Sequence, residues 1–329
     1  MRFLVLGGSN FVGRHLVQRA LAEGHDVVLF NRGRTNPGIF DGAEEVRGDR
    51  DGGLDGLSGR TFDRVVDVSG YLPRVVRQST ELLRDSTEHY TFISTVSVYA
   101  DFTKTDLDED SAVGTVADES VEDITDETYG PLKALCEDVV RSVYEDRCAI
   151  VRPGIVAGPF DHTDRFTYWC VRASRGGELV APDDAARPVQ FIDARDLAAF
   201  ILHLSSDSLH GVFNASGPRS EALGWGSFLE TCIAVGRSQA KPVWAPERVL
   251  RDAGAEIGRE LPLYAPIDMP GFATVNCDRA IAAGLGFSDL ERSVEDTLGW
   301  ARAERPELIA GMTPEREAEI LEALRRSRI

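Results

Sequence analysis

Short apolar runs recur through the first two-thirds of the chain without alternating with polar residues. Such a run is expected of a strand covered on both faces, as in a parallel sheet. Phe3-Leu4-Val5-Leu6 and Val27-Val28-Leu29-Phe30 are the first two. Val46-Arg47-Gly48-Asp49-Arg50 predicts a short third strand, and residues 64–70, 90–95 and 148–154 predict the fourth to sixth. Val189-Gln190-Phe191-Ile192 and Val212-Phe213-Asn214-Ala215 predict two more. Between these runs the apolar spacing changes to the helical period. A helix is expected from about Val12 to Glu23, with Leu16, Val17, Ala20 and Leu21 on one face and Gly24 ending it. Pro73 opens a second, in which Val75, Val76, Leu82 and Leu83 repeat at helical spacing. The helix holding Tyr129 carries the stripe Leu132, Leu135, Cys136, Val139, Val140 and Val143. Another is expected over residues 196–204. From Ser220 onward helices and proline-rich loops predominate, ending in a charged amphipathic helix over residues 315–326.

The first turn of this alternation is glycine-rich: Gly7-Gly8-Ser9-Asn10-Phe11-Val12-Gly13 joins the first strand directly to the first helix. Strand, glycine turn, helix, strand is the unit that binds a dinucleotide, because glycines let backbone N–H groups approach a pyrophosphate at a helix N-terminus. Gly7, Ser9, Asn10, Phe11 and Gly13 are therefore expected to hold the cofactor. Asn10 stands where a middle glycine is usual, and asparagine is the non-glycine residue most ready to take positive φ.

The end of the second strand reads Asn31-Arg32-Gly33-Arg34. Two arginines and no carboxylate suit a 2′-phosphate, which favours NADP(H). With Asn31 on a ribose hydroxyl, NAD(H) fits as well. Asp49 and Arg50 end the third strand, where the adenine would lie, and Asp49 is placed to bond its exocyclic amine. Ser69 and Gly70 end the fourth strand with small residues that leave room at the carboxyl edge of the sheet. Ser94 and Thr95 end the fifth.

Charge and cysteine content narrow the setting. The chain has 329 residues, enough for one large domain or two interlocked ones, and no apolar run approaches a membrane span. A formal charge of −18 opposes phosphate backbones and anionic membranes, so a nucleic-acid partner is not expected. Five scattered cysteines without a CxxC spacing predict reduced thiols in a cytoplasmic protein and no metal framework. Asp161-His162-Thr163-Asp164 lacks a second histidine at a ligand spacing, so no metal is expected there either. Residues 101–128 form an acidic, poorly periodic insertion, read as a solvated loop bordering the substrate mouth.

Chemistry concentrates at Tyr129-Gly130-Pro131-Leu132-Lys133. Of 36 basic residues only Lys104, Lys133 and Lys241 are lysine, and Lys133 lies four residues after a tyrosine, on the same helix face. An ammonium beside a phenol favours the phenolate and would lower the tyrosine pKa, making Tyr129 a usable general acid or base.

Taken in order, Gly7-Gly8-x-x-Phe11-Val12-Gly13, Ser94-Thr95, Tyr129-x-x-x-Lys133, Arg152-Pro153-Gly154 and Phe191-Ile192-Asp193-Ala194-Arg195-Asp196-Leu197-Ala198 resemble the extended and atypical short-chain dehydrogenase/reductase superfamily, the NAD-dependent epimerase/dehydratase group. The resemblance spans nearly the whole chain. It implies an α/β fold, a doubly wound parallel (Rossmann) sheet with a smaller C-terminal substrate lobe. Residues 1–160, with 189–215 returning to them, would form the NAD(P)-binding domain; residues 161–188 and 216–329 would form the lobe. The resemblance also implies roles. Thr95 would polarise the reacting carbonyl or alcohol, Tyr129 would be the general acid/base, and Lys133 would hold the nicotinamide ribose. Pro153 and Gly154 would flank the nicotinamide.

Two departures bear on the substrate. Sugar-nucleotide members carry an arginine for the substrate diphosphate where this chain has Val189, with Arg187 nearby. The acid pair of the dehydratases is Val96 and Ser97 here. The expected function is an NAD(P)-dependent oxidoreductase or epimerase acting on a hydroxyl- or carbonyl-bearing small molecule, sugar derivatives included. The alternatives are an RNA-binding protein like the chloroplast stem-loop binders, which share the irregular glycine turn, or a dinucleotide sensor without chemistry. Homodimers are common in the resembled family.

Overall fold

The computed structural model describes residues 1–217, 223–304 and 307–327, so Ser220 lies outside the described residues. Its strands are β1 (Arg2–Leu6), β2 (Asp26–Asn31), β3 (Ala43–Arg47), β4 (Phe62–Asp67), β5 (Thr87–Ile93), β6 (Cys148–Pro153), β7 (Val156–Ala157), β8 (Glu178–Pro182), β9 (Ile192–Asp193), β10 (Gly211–Ala215) and β11 (Lys241–Ala245). The helices are α1 (Phe11–Ala22), α2 (Pro73–Leu83), α3 (Tyr129–Tyr144), α4 (Thr167–Ser174), α5 (Ala194–Ser206), α6 (Trp225–Gly236), α7 (Glu247–Asp252), α8 (Asp278–Ala282), α9 (Leu290–Glu304) and α10 (Pro314–Ser327).

Seven strands form one sheet in the order β3-β2-β1-β4-β5-β6-β10, every neighbouring pair parallel. Helices cover both faces, which explains why the strands read as unbroken apolar runs. Phe3 and Val5 of β1 pack toward α1 and α5, while Leu4 and Leu6 pack toward α2 and α3. The strand order reverses between β1 and β4, and a ligand crevice is expected at the carboxyl ends of the strands there.

Beyond the sheet, α4, α6, α9 and α10 enclose a separate apolar cluster with Trp169 and Trp225 at its centre. A two-stranded parallel sheet, β8 with β11, belongs to this part. All five cysteines are buried and unbridged. Burial pushes the Cys136 thiol up to about 12, as suits a core residue rather than a nucleophile.

β4 ends at Asp67, short of Ser69 and Gly70, and β5 ends at Ile93, short of Ser94 and Thr95. Two further stretches differ more from expectation. The third strand spans Ala43–Arg47 instead of residues 46–50, and Gly48 begins the turn after it. A side chain at Gly48 would come within 2.4 Å of the Gly53 carbonyl oxygen, so the backbone doubles back at that point. Residues 189–192 do not return to the central sheet. Only Ile192 and Asp193 are strand, and they pair with β7. Gln190 instead ties the segment to its surroundings: its Nε2 donates to the carbonyls of Gly217 (2.8 Å) and Val275 (2.9 Å), and its Oε1 accepts from Val275 N (3.0 Å). The return of the chain to the sheet is made by β10 alone.

Candidate active site

The crevice at the strand ends is a cavity of about 750 Å³. One wall is the glycine turn. Gly7 and Gly8 have φ of 104° and 95°, and a Cβ at Gly13 would stand 2.6 Å from the Gly8 Cα. The turn and α1 are thus in backbone contact, the arrangement that brings N–H groups toward a pyrophosphate. Asn10 does not take the positive φ expected of it. It is extended (φ −137°, ψ 147°), and the left-handed residue is Phe11, at φ 34°. The Asn36 amide steadies the turn by donating to the Ser9 carbonyl at 3.0 Å.

At the opposite end Asn31, Arg32, Arg34 and Asp49 line the cavity. The Asn31 side-chain oxygen accepts from Gly33 N at 2.7 Å, closing a local turn that presents both arginines to solvent. Among the described residues neither arginine has a carboxylate partner. Arg50 also borders the cavity, but its guanidinium is committed underneath it. It makes a bidentate contact with Asp67 (2.6 and 2.7 Å) and donates to Ser79 Oγ at 2.7 Å. Burial opposes its charge, yet the Asp67 carboxylate raises it above the ordinary arginine range. The Tyr90 hydroxyl and Ser69 N also donate to Asp67, at 2.8 and 3.0 Å. Arg50 therefore braces the floor of the site rather than reaching a ligand.

Tyr129, Lys133 and Ser94 line the remaining end, beside Ile93. Gly130 makes this possible, because a Cβ there would lie 1.9 Å from the Ser97 carbonyl oxygen. The first turn of α3 thereby sits directly on the segment that follows β5, which brings Tyr129 toward Thr95. Thr95 Oγ1 accepts from Ser97 N at 3.1 Å and donates to Ser97 Oγ at 3.2 Å, which fixes its rotamer. Ser94 Oγ is buried without a partner among the described residues, a polar atom left over on the cavity wall.

Lys133 is 3% exposed. Its ammonium donates to the carbonyls of Gly70 (2.6 Å) and Ile93 (2.7 Å) and lies 4.1 Å from the centre of the Phe92 ring. Desolvation brings its pKa down to about 8. The expected depression of Tyr129 by Lys133 is not what this geometry gives. Burial, then the neighbouring Tyr71 phenol, raises Tyr129 above its ordinary value; the nearby Thr95 hydroxyl and the Arg165 cation draw it back. Arg165 was not anticipated. It precedes α4, and its Nε donates to Thr163 Oγ1 at 3.2 Å. His162 of the same loop borders the cavity and meets Phe11 edge-on at 6.2 Å. Gly70, Pro153 and Gly154, expected at the cofactor, and Thr95, expected at the reacting oxygen, do not line the cavity. Gly70 is packed under Phe92 and serves as an acceptor for Lys133, and Pro153 is buried in β6.

Residues 3–51 and 74–215, more than half of the chain, match the NAD dependent epimerase/dehydratase family. The chain belongs to this family. A nicotinamide dinucleotide is its cofactor class. The glycine turn in backbone contact with α1 and the partnerless Ser94 hydroxyl are features such a group would use.

A curated relative, the chloroplast stem-loop binding protein of 41 kDa b from Arabidopsis thaliana, is 26% identical over 236 residues. That match covers 66% of this chain and 59% of the relative, so the chain spans less than two-thirds of that protein's length. Similar folds occur in the UDP-Glc/GlcNAc 4-epimerase from Campylobacter jejuni (TM-score 0.69, 16% identity, covering 92% of this chain and 99% of that one). They occur also in MoeE5 in complex with UDP-glucose and NAD (TM-score 0.65, 19% identity, 92% and 99% covered). Among the described residues no helix is long and apolar enough to cross a membrane.

Within the family, Val189 is core, only 4% exposed. Arg187 does not reach out in its place. It pairs with Asp183 at 3.4 Å, donates to the Ala265 carbonyl at 3.1 Å and lies 5.8 Å from the centre of the Tyr264 ring.

Proposed function

We propose that the protein is a nicotinamide-dinucleotide-dependent oxidoreductase or epimerase acting on the hydroxyl or carbonyl group of a small molecule, with Tyr129 as general acid/base. The observation that supports this best is that Tyr129, Lys133 and Ser94 line the same end of the cavity, with the first turn of α3 packed on the segment that carries Thr95. The dinucleotide supplies the hydride acceptor or donor. Thr95, close to the Tyr129 phenol, aligns the substrate oxygen. Tyr129, kept protonated at neutral pH by burial, gives its proton to a carbonyl oxygen and recovers it in the reverse direction. Lys133, buried against two carbonyls, keeps a positive charge near the ribose. The substrate lobe is assigned to residues 161–188 and 216–329.

The arginine pair at the adenosine end favours NADP(H), although the family takes its description from NAD. With Val189 buried and Arg187 engaged, the substrate is a small hydroxyl or carbonyl compound rather than a nucleoside-diphosphate sugar gripped at that position. Val96 and Ser97 in place of a dehydratase acid pair point away from water elimination. Tyr129→Phe is expected to lower turnover by about 10²–10⁴-fold while leaving dinucleotide affinity within about twofold. Steady-state rates beside fluorescence titration check this, and undiminished turnover would remove Tyr129 from the mechanism.

The likeness to a stem-loop binding protein motivates a second reading, RNA recognition. A charge of −18 disfavours it. A gel shift with structured RNA decides: phosphate contacts would produce a complex that dissolves steeply between about 50 and 200 mM salt, whereas no shift at low salt excludes the reading.

A further inference from the structure

The acidic insertion is anchored at one point by an arginine that holds two carboxylates at once. Arg74, at the start of α2, makes a bidentate contact with Asp51 (2.6 and 2.9 Å) and reaches Glu122 with two more bonds (2.7 and 3.3 Å). Asp51 belongs to the loop after β3 that walls the adenine end of the cavity, and Gln78 of α2 also holds that loop by accepting from Gly52 N at 3.0 Å. Two residues beyond Glu122, Ile124 borders the same cavity. It is 50% exposed and Tyr71 beside the cavity is 48% exposed, so two large apolar side chains stand open where a ligand would cover them.

The chain from Glu122 to Tyr129 is short and knitted to itself. Thr125 N donates to Thr128 Oγ1 at 2.9 Å, Thr128 N donates to Thr125 Oγ1 at 3.2 Å, and Thr128 Oγ1 donates to the Asp123 carbonyl. This turn lies directly between Glu122 and Tyr129, the first residue of α3.

We propose that Arg74 is a positioning residue, a clasp that joins the insertion to the adenine-side loop and makes a bound dinucleotide slow to leave. The proposal rests on the dinucleotide function proposed above. A guanidinium suits the task because its planar fork can face two carboxylates, which a lysine ammonium cannot match. Slow exchange fits a reaction in which the hydride and the proton taken from a C–OH group both return to the same molecule. Such a reaction needs no external oxidant and leaves the cofactor as it began.

The test loads the full-length protein with NADH or, separately, NADPH, chases with excess NAD⁺ and follows the loss of nucleotide fluorescence. Arg74→Ala is expected to release nucleotide about tenfold faster than the wild type, and Arg74→Lys to fall between them. Because the clasp is exposed, about 1 M salt should speed release from the wild type and leave Arg74→Ala nearly unchanged. Glu122→Gln, a surface change, should reproduce part of the effect even if Arg74→Ala proves unstable. Release at the wild-type rate from the folded variants, or faster release with no salt response in the wild type, overturns the clasp. A wild type that binds neither nucleotide overturns the underlying function and the clasp with it.

Discussion

At the scale of single residues, Tyr129 and Lys133 share one helix as their spacing predicts, yet their electrical relation is not the one the spacing suggests. The lysine faces the sheet and donates hydrogen bonds to the carbonyls of Gly70 and Ile93. The cation that opposes the rise of the Tyr129 pKa is Arg165, which stands 36 positions away in sequence. A four-residue spacing shows that two side chains lie on one face of a helix. It does not show which carbonyls compete for the ammonium, because those come from other strands. Asn10 shows the same limit: asparagine tolerates positive φ, but Phe11 carries it, since the backbone path into α1 decides where the turn reverses.

Another buried group makes a pH prediction. His89 is 1% exposed, faces the Leu209 carbonyl at 3.0 Å, and is lowered by burial to about 4. The unfolded chain takes up this proton below about 6.5, whereas the folded chain resists it down to about 4. Stability from His89 is therefore complete above pH 6.5 and is lost progressively as pH falls toward 4. Between pH 6.5 and 5.5 the wild type should lose about 1 kcal/mol more than His89→Gln in urea unfolding, and parallel pH profiles would contradict the assignment.

At the scale of elements, the parallel sheet was legible because strands covered on both faces leave an unbroken apolar signature. The runs at 3–6, 27–30 and 148–154 all lie in the central sheet. Where the signature was weak, the expectation failed. Val46 is the one buried residue of β3, an edge strand, so its bounds were set by Gly48 and the close approach of Gly53 rather than by apolarity. Residues 189–192 are as apolar as a strand, but Val189 and Phe191 pack into the apolar cluster of α4 and α6, Ile192 joins the cluster beside the sheet, and the Gln190 amide ties the segment to Gly217 and Val275. The parallel pair β8 and β11 went unseen because its partners are distant in sequence. The acidic insertion is largely exposed, as its composition implies, although Leu107 and Glu109 are buried, and its tie to Arg74 follows only from the folded position of α2.

At the scale of the molecule, the reversal of strand order between β1 and β4 collects distant segments into one cavity. It brings together the glycine turn, the Asn31–Arg34 corner, the loop after β3, the ends of β4 and β5, and the start of α3. A negative charge of 18 spread over the chain does not prevent Arg32 and Arg34 from lining the cavity with no carboxylate partner among the described residues. That contrast gives the central claim its most direct test, fluorescence titration of the wild-type protein with NADH and with NADPH. Both should bind saturably, NADPH the tighter by about fivefold or more, and Arg32→Gln combined with Arg34→Gln should abolish that preference. Failure of both nucleotides to bind would contradict the account.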